Sequence, residues 1–283
     1  MDITRVCVVG GGTMGGGIAH LFALNGREVT LVESKEELAH AARISISRNM
    51  ERQVAKGTIT AQAKDAALAR VTTALSPTPG FQFAVEAVSE SLELKREIFR
   101  ELEKVAAPGA ILATNTSSLP INDIAAAVGD PSRVIGMHFM NPVPVMKLVE
   151  IIRGPKTSDE TYRVVQELAV ALGKTPALAH DFPGFVSNRV LMPMINEAIF
   201  CLMEGVSSKE DIDTIMKLGM GHPMGPLQLA DHIGLDVCLA IMETLHKGFA
   251  DDKYRPCPLL KQMVSAGQLG VKTGGGFYEH PKK

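Results

Sequence analysis

Apolar and polar residues follow two different rhythms along this chain. Up to about residue 182, short unbroken apolar runs such as Val6-Cys7-Val8-Val9 recur between longer amphipathic stretches. An apolar run without alternation belongs to a strand covered on both faces, as in a parallel sheet, and the stretches between have the length and 3.6-residue period of crossover helices. The pattern predicts strands at 6–9, 28–32, 71–73, 83–88, 110–114, 133–139, 146–152 and 175–179. Helices are predicted over 14–24, 35–54, 60–69, 92–105, 121–128 and 158–172, with Leu94, Ile98, Leu102 and Val105 forming one apolar stripe. Irregular Met140-Asn141-Pro142-Val143-Pro144 turns the strand at 146–152 back beside the one before it. Beyond Pro183 the strand pattern stops, and 185–204, 209–217, 226–231, 235–247 and 258–266 all read as helix, punctuated by Gly and Pro. The expected organisation is an α/β domain over 1–183 followed by an all-α domain over 184–283, divided at Pro183-Gly184. The tail from Gly270 to Tyr278 is too rich in glycine for a helix, and its Lys272 is expected to reach back to a cleft.

The first strand runs into Gly10, Gly12 and Gly15 at G-x-G-x-x-G spacing, just where the first helix begins. Glycines there permit a tight turn, close approach of the main chain to a pyrophosphate, and packing of helix on strand. Thr13 and Met14 belong to the same phosphate-facing helix start. The second strand ends in Glu33, an acid that can accept from a ribose 2′-hydroxyl and would repel a 2′-phosphate. Strand, loop, helix and acid together predict a Rossmann-type domain that binds NAD in preference to NADP.

Composition removes several alternatives. A net charge of −2 provides no basic footprint for nucleic acid or an anionic membrane. The four cysteines form no C-x-x-C pair, the eight histidines form no i, i+4 pair, and no metal is expected. These thiols, and a start that enters the first strand without a basic leader, point to a cytoplasmic protein. The apolar stretch 186–203 carries Asn188, Arg189, Asn196 and Glu197 and is expected to be a buried amphipathic helix instead of a membrane span.

Candidate chemistry gathers at the strand ends. Glu90 follows the strand at 83–88, and Asn115-Thr116-Ser117-Ser118 follows the strand at 110–114; Ser118 or its predecessors could equally cap the next helix. Glu150 interrupts an apolar strand, where an unpaired carboxylate is costly, so it needs a partner. His138, at the end of the preceding strand, is the natural one; a carboxylate beside an imidazole fixes its tautomer and favours its charged form, as a general base requires. The helix at 35–54 carries Arg43, Arg48 and Arg52 and is followed by Lys56, which is either a solvated face or a platform for a second phosphate-bearing ligand.

The glycine loop, Asn115-Thr116-Ser117-Ser118, His138-Phe139-Met140-Asn141-Pro142 and Pro183-Gly184-Phe185-Val186-Ser187-Asn188-Arg189 together resemble the 3-hydroxyacyl-CoA dehydrogenases, especially the single-function bacterial 3-hydroxybutyryl-CoA dehydrogenases. Lys56-Gly57, Glu86-Ala87-Val88, Gly225-Pro226 and Lys272-Thr273-Gly274 extend the resemblance over nearly the whole chain. It implies a dinucleotide domain followed by a helical domain that forms a homodimer. His138 would be the general base and Glu150 its orienting acid; Ser117 would contact the substrate's C3 oxygen and Asn188 the acyl thioester. Glu90, Lys95, Asn115, Asn141 and Lys272 fall on NAD positions, and Ser45, Arg52 and Lys56 near the CoA positions. The implied activity interconverts (S)-3-hydroxyacyl-CoA and 3-oxoacyl-CoA. A dehydrogenase of a free hydroxy or sugar acid and a catalytically silent homologue are the competing readings. The sequence departs from the family at Gly11 and Gly16, where alanine and a small polar residue are commoner, and at Glu33, where aspartate is usual.

Overall fold

The computed structural model describes residues 2–281. The chain forms two compact units that divide between Phe182 and Pro183. In the first, strands β1 (Arg5–Val9), β2 (Glu28–Val32), β3 (Val71–Ala74), β4 (Phe83–Glu86), β5 (Ile111–Thr114), β6 (Val134–Phe139), β7 (Leu148–Arg153) and β8 (Thr175–His180) build one sheet in the order β3-β2-β1-β4-β5-β6-β7-β8. All neighbours pair in parallel except β6 and β7. The order reverses between β2-β1 and β4-β5, the kind of point where open α/β sheets bind ligands.

The unbroken apolar runs form the buried strands. Cys7, Val8, Phe83, Val85, Ala113 and Ile135 are fully buried, and helices cover the sheet. Helix α1 (Thr13–Leu24) ends where Asn25 donates its side-chain amide to Leu21 O and Gly26 takes φ +79°. Helix α2 (Glu36–Ala55) buries Ala39, Ala42, Ile46 and Met50 at helical spacing, and α3 (Ala61–Ala69) starts at Thr60, whose hydroxyl accepts from Ala63 N.

Two local expectations are corrected. Helix α4 (Leu92–Val105) buries Lys95, Phe99 and Leu102, whereas Leu94 is exposed and Ile98 half-buried. The apolar stripe is therefore turned by about one residue, because Leu94 and Ile98 line a groove at the sheet edge. Helix α5 (Ile121–Ala125) is shorter than expected and takes no cap from Ser118. Its first N–H groups, those of Ile121 and Asn122, donate to the two oxygens of Asp181 at 2.9 and 2.8 Å, just beyond β8. Burial raises the Asp181 carboxyl above the ordinary carboxylate range. Helix α6 (Asp159–Ala171) starts from Ser158, which accepts from Thr161 N.

The second unit packs α7 (Ser187–Met203), α8 (Lys209–Thr214), α9 (Pro226–Ile233), α10 (Leu235–Phe249) and α11 (Pro258–Ser265) around Met192, Ile199, Leu227, Leu245 and Leu260. Its glycine-rich tail is tied down by two buried carboxylates: Asp231 accepts from Phe277 N and Tyr278 N, both at 2.9 Å, and Asp213 accepts from the Tyr278 hydroxyl. No helix among the described residues is long and apolar enough to cross a membrane.

Candidate active site

Four strands, β1, β4, β5 and β6, bring their carboxyl ends to one edge, and each delivers a different piece of the site. From β1 comes the glycine loop. A Cβ on Gly15 would lie 1.7 Å from Gly10 O and one on Gly10 would lie 2.9 Å from Ala87 O, so the protein's own packing demands both glycines. A Cβ on Gly12 would meet nothing within 4 Å. That open side faces a groove walled by Glu33 and Ser34 on one flank and by Val88, Leu94 and Ile98 on the other. Helix α1 starts without a side-chain cap and without an acid in its first turn, leaving the N–H groups near Thr13 and Met14 to a ligand. Space, open donors and apolar walls fit a dinucleotide.

Glu33 is already oriented. Its Oε1 accepts from Gly11 N at 2.6 Å and its Oε2 from Ser34 N at 3.1 Å. Gly11 itself is closely packed. A Cβ there would stand 2.7 Å from the Ala42 Cβ and 3.2 Å from the Glu33 side chain.

β4 and β5 deliver the polar middle of the site. Glu90 Oε1 accepts from Ser117 N at 2.7 Å and from the Thr116 hydroxyl at 2.8 Å. Asn115 turns inward, its Oδ1 accepting from Phe139 N at 2.9 Å, so it braces the end of β6. Lys95, wholly buried, lies 2.7 Å from Glu86 and 3.2 Å from Glu90. Glu86, just as buried, enters the sequence reading only within the Glu86-Ala87-Val88 resemblance, with no role of its own.

From β6 and its antiparallel neighbour come the ionisable pair. His138 and Glu150 are directly opposed in the ladder, with Glu150 Oε2 3.1 Å from His138 Nδ1. Both are buried, at 7% and 2% exposure. The other ring nitrogen, Nε2, lies 3.1 Å from the Ser117 hydroxyl oxygen. Ser117, His138 and Glu150 thus form one hydrogen-bonded line, suited to moving a proton between a substrate oxygen and an imidazole whose charge a carboxylate balances.

Comparison with known proteins now gives this arrangement a family. The model for the 3-hydroxyacyl-CoA dehydrogenase NAD-binding domain matches residues 5–182, and that for the C-terminal domain of the same enzymes matches residues 184–280. The chain belongs to the 3-hydroxyacyl-CoA dehydrogenase family. It is 54% identical over 275 residues to a probable 3-hydroxybutyryl-CoA dehydrogenase of Deinococcus radiodurans, covering 96% of this chain and 99% of that one. It is 42% identical to the human mitochondrial hydroxyacyl-coenzyme A dehydrogenase, covering 98% and 91%. The crystal structure of (S)-3-hydroxybutyryl-CoA dehydrogenase PaaH1 from Ralstonia eutropha superposes with a TM-score of 0.95 at 44% identity, covering 99% and 100%.

The other residues that the family resemblance singles out are spread over both units. Ser45, Arg52 and Lys56 lie exposed along α2 and its end, whereas Arg43 is engaged locally, donating to Val71 O at 2.6 Å. Asn141 stands in the connection between β6 and β7. In the second unit, Asn188 is buried in the first turn of α7, and Lys272, in a short 3-10 turn, is hydrogen-bonded to Asp236.

Proposed function

We propose that this chain is an NAD-dependent dehydrogenase that interconverts (S)-3-hydroxyacyl-CoA and 3-oxoacyl-CoA, with a short acyl chain such as 3-hydroxybutyryl-CoA. The observation that carries this reading is the Ser117–His138–Glu150 line, at the same sheet edge as the glycine-loop groove, in a chain of this family. When bound, the nicotinamide supplies the acceptor for the C3 hydride. His138 Nε2 takes the hydroxyl proton as the carbonyl forms and returns it in the reverse direction, while Glu150 holds the ring and balances its charge. Ser117 orients the C3 oxygen toward Nε2, and Asn188 holds the thioester. The loop of Gly10, Gly12 and Gly15, with Thr13 and Met14, anchors the pyrophosphate, and Glu33 reads the ribose. Glu90, Lys95, Asn115, Asn141 and Lys272 complete the NAD side; Ser45, Arg52 and Lys56 form the platform for CoA.

The four free cysteines suit a reducing cytoplasm. Exposed Val190, Val206, Leu218 and Met220 on the helical unit support a homodimer formed through it. The decisive assay follows the absorbance of reduced cofactor with 3-hydroxybutyryl-CoA, free 3-hydroxybutyrate, NAD and NADP in all combinations. Turnover is expected with the thioester and NAD. Turnover of the free acid alone would move the protein to a different substrate class.

A further inference from the structure

The reaction as drawn has no use for Glu86, yet this carboxylate and its partner are wholly buried. It is 0% exposed at the end of β4, and its partner Lys95 is 0% exposed on α4. Two charges taken out of water are seldom a net source of stability, since a well-packed apolar pair can serve as well. What the pair does supply is direction. Glu86 Oε1 accepts from Lys95 Nζ and from Val88 N, both at 2.7 Å, and its Oε2 accepts from the Thr114 hydroxyl at 2.8 Å. Every bond is made to an element that leads into the site. Lys95 then reaches Glu90 Oε2 at 3.2 Å, while Glu90 Oε1 holds Ser117 N at 2.7 Å. The Glu90 side chain is 39% exposed and has open solvent into which it could swing. Lys95 tethers one of its oxygens, and the other is thereby kept on the Ser117 main chain.

We propose that Glu86 is a positioning residue: through Lys95 and Glu90 it fixes the Ser117 main chain so that the serine hydroxyl meets His138. This inference rests on the catalytic reading of Ser117 and His138 given above. Small misplacements of reacting groups cost rate steeply, which is how a residue remote from the substrate can matter.

The test measures kcat and melting temperature for Glu86→Gln in the wild-type and in the Ser117→Ala background, with saturating NAD and 3-hydroxybutyryl-CoA. In the wild type, kcat is expected to fall roughly tenfold. In Ser117→Ala the same substitution should change kcat by about twofold or less, because the group it positions is gone. A merely structural role predicts a lowered melting temperature with equal fold losses in both backgrounds, and that result overturns the proposal. Should Glu86→Gln fail to fold, Thr114→Val removes one hydrogen bond and leaves the ion pair. It should give a smaller loss that disappears in Ser117→Ala; a loss that persists there, or no loss in either background, overturns the proposal. The catalytic reading fails separately, if Ser117→Ala and His138→Ala alone retain full kcat.

Discussion

The hydroxyl oxygen of Ser117 stands 3.1 Å from Nε2 of His138, and Oε2 of Glu150 stands 3.1 Å from the other nitrogen of the same ring. One imidazole is therefore held from both sides. A carboxylate at Nδ1 keeps the ring proton there and turns the lone pair of Nε2 toward the serine and the substrate. His138→Ala should lower kcat by roughly 10²-fold or more, the range for loss of a general base. Glu150→Gln should lower it as well, and the double variant should be little worse than His138→Ala, because the two act as a unit. Cofactor affinity should hold, since the proposed pyrophosphate anchor is the glycine loop and not this pair. Near-normal kcat in a folded His138→Ala protein would remove the mechanism.

Cofactor choice is predicted to follow Glu33. Its carboxylate, already fixed by Gly11 N and Ser34 N, would meet a 2′-phosphate as a like charge. Glu33→Arg should raise kcat/KM with NADP relative to NAD. A wild-type protein that already prefers NADPH would contradict this assignment.

With Ala42 and Glu33 packed against it, Gly11 should not accept a side chain in this chain, although alanine is commoner at the position in the family. Gly11→Ala places a methyl against Ala42 and Glu33, and overpacking of this kind typically costs about 1–3 kcal/mol. The strain falls on Glu33, the residue proposed to read the ribose, so the expected outcome is weaker NAD binding by calorimetry together with a lower melting temperature. Unchanged affinity would show that α2 simply yields.

His20 makes stability sensitive to acid. Its ring is 1% exposed on α1, Nε2 lies 3.0 Å from Gln53 Oε1, and Nδ1 finds no partner among the described residues. Burial lowers its pKa below the ordinary histidine range, with the Gln53 hydrogen bond working in the opposite direction. The folded state thus resists a proton that the unfolded chain accepts near pH 6.5. Stability should be complete above about that pH and should decline below it, levelling off once the folded ring is also protonated. His20→Gln should flatten the difference in urea midpoint between about pH 7.5 and 5.5; an undiminished difference would place the acid sensitivity elsewhere.

The helical unit is expected to associate. Leu218 is 83% exposed and Val206 68%, an apolar surface that a lone unit would leave in water. Light scattering at micromolar concentration should give about twice the 30.3 kDa chain mass. A monomer mass would refute the assignment.

Much of this could be read from the sequence because its signals are local. The glycine loop, the acid closing β2 and the carboxylate inside an apolar strand each announce themselves within a few residues. Even the partner of Glu150 followed from the turn that folds β7 back on β6. What escaped depends on distant or three-dimensional facts. Asp181 caps a helix 60 residues earlier in the chain, a relation without local trace. Leu94 and Ile98 fit the helical period of a core stripe, but a ligand groove also offers an apolar wall. The pairing of Glu86 with Lys95 escaped as well, because the two meet as a buried pair only when β4 and α4 pack together.

The direct opposition of His138 and Glu150 across β6 and β7 has a consequence for how such a protein can change in length. Successive residues of a strand point to opposite faces. Inserting or deleting one residue within either strand would place a neighbour such as Val149 or Ile151 opposite the histidine and turn the acid to the far side of the sheet. A change of length in the connection between Phe139 and Leu148 leaves that register intact, although buried Val143 and the Lys174 ammonium, which donates to Val143 O and Met146 O, hold part of that connection in place. Changes of length that keep the histidine opposite the acid are therefore confined to the exposed part of the turn and excluded from the two strands it joins.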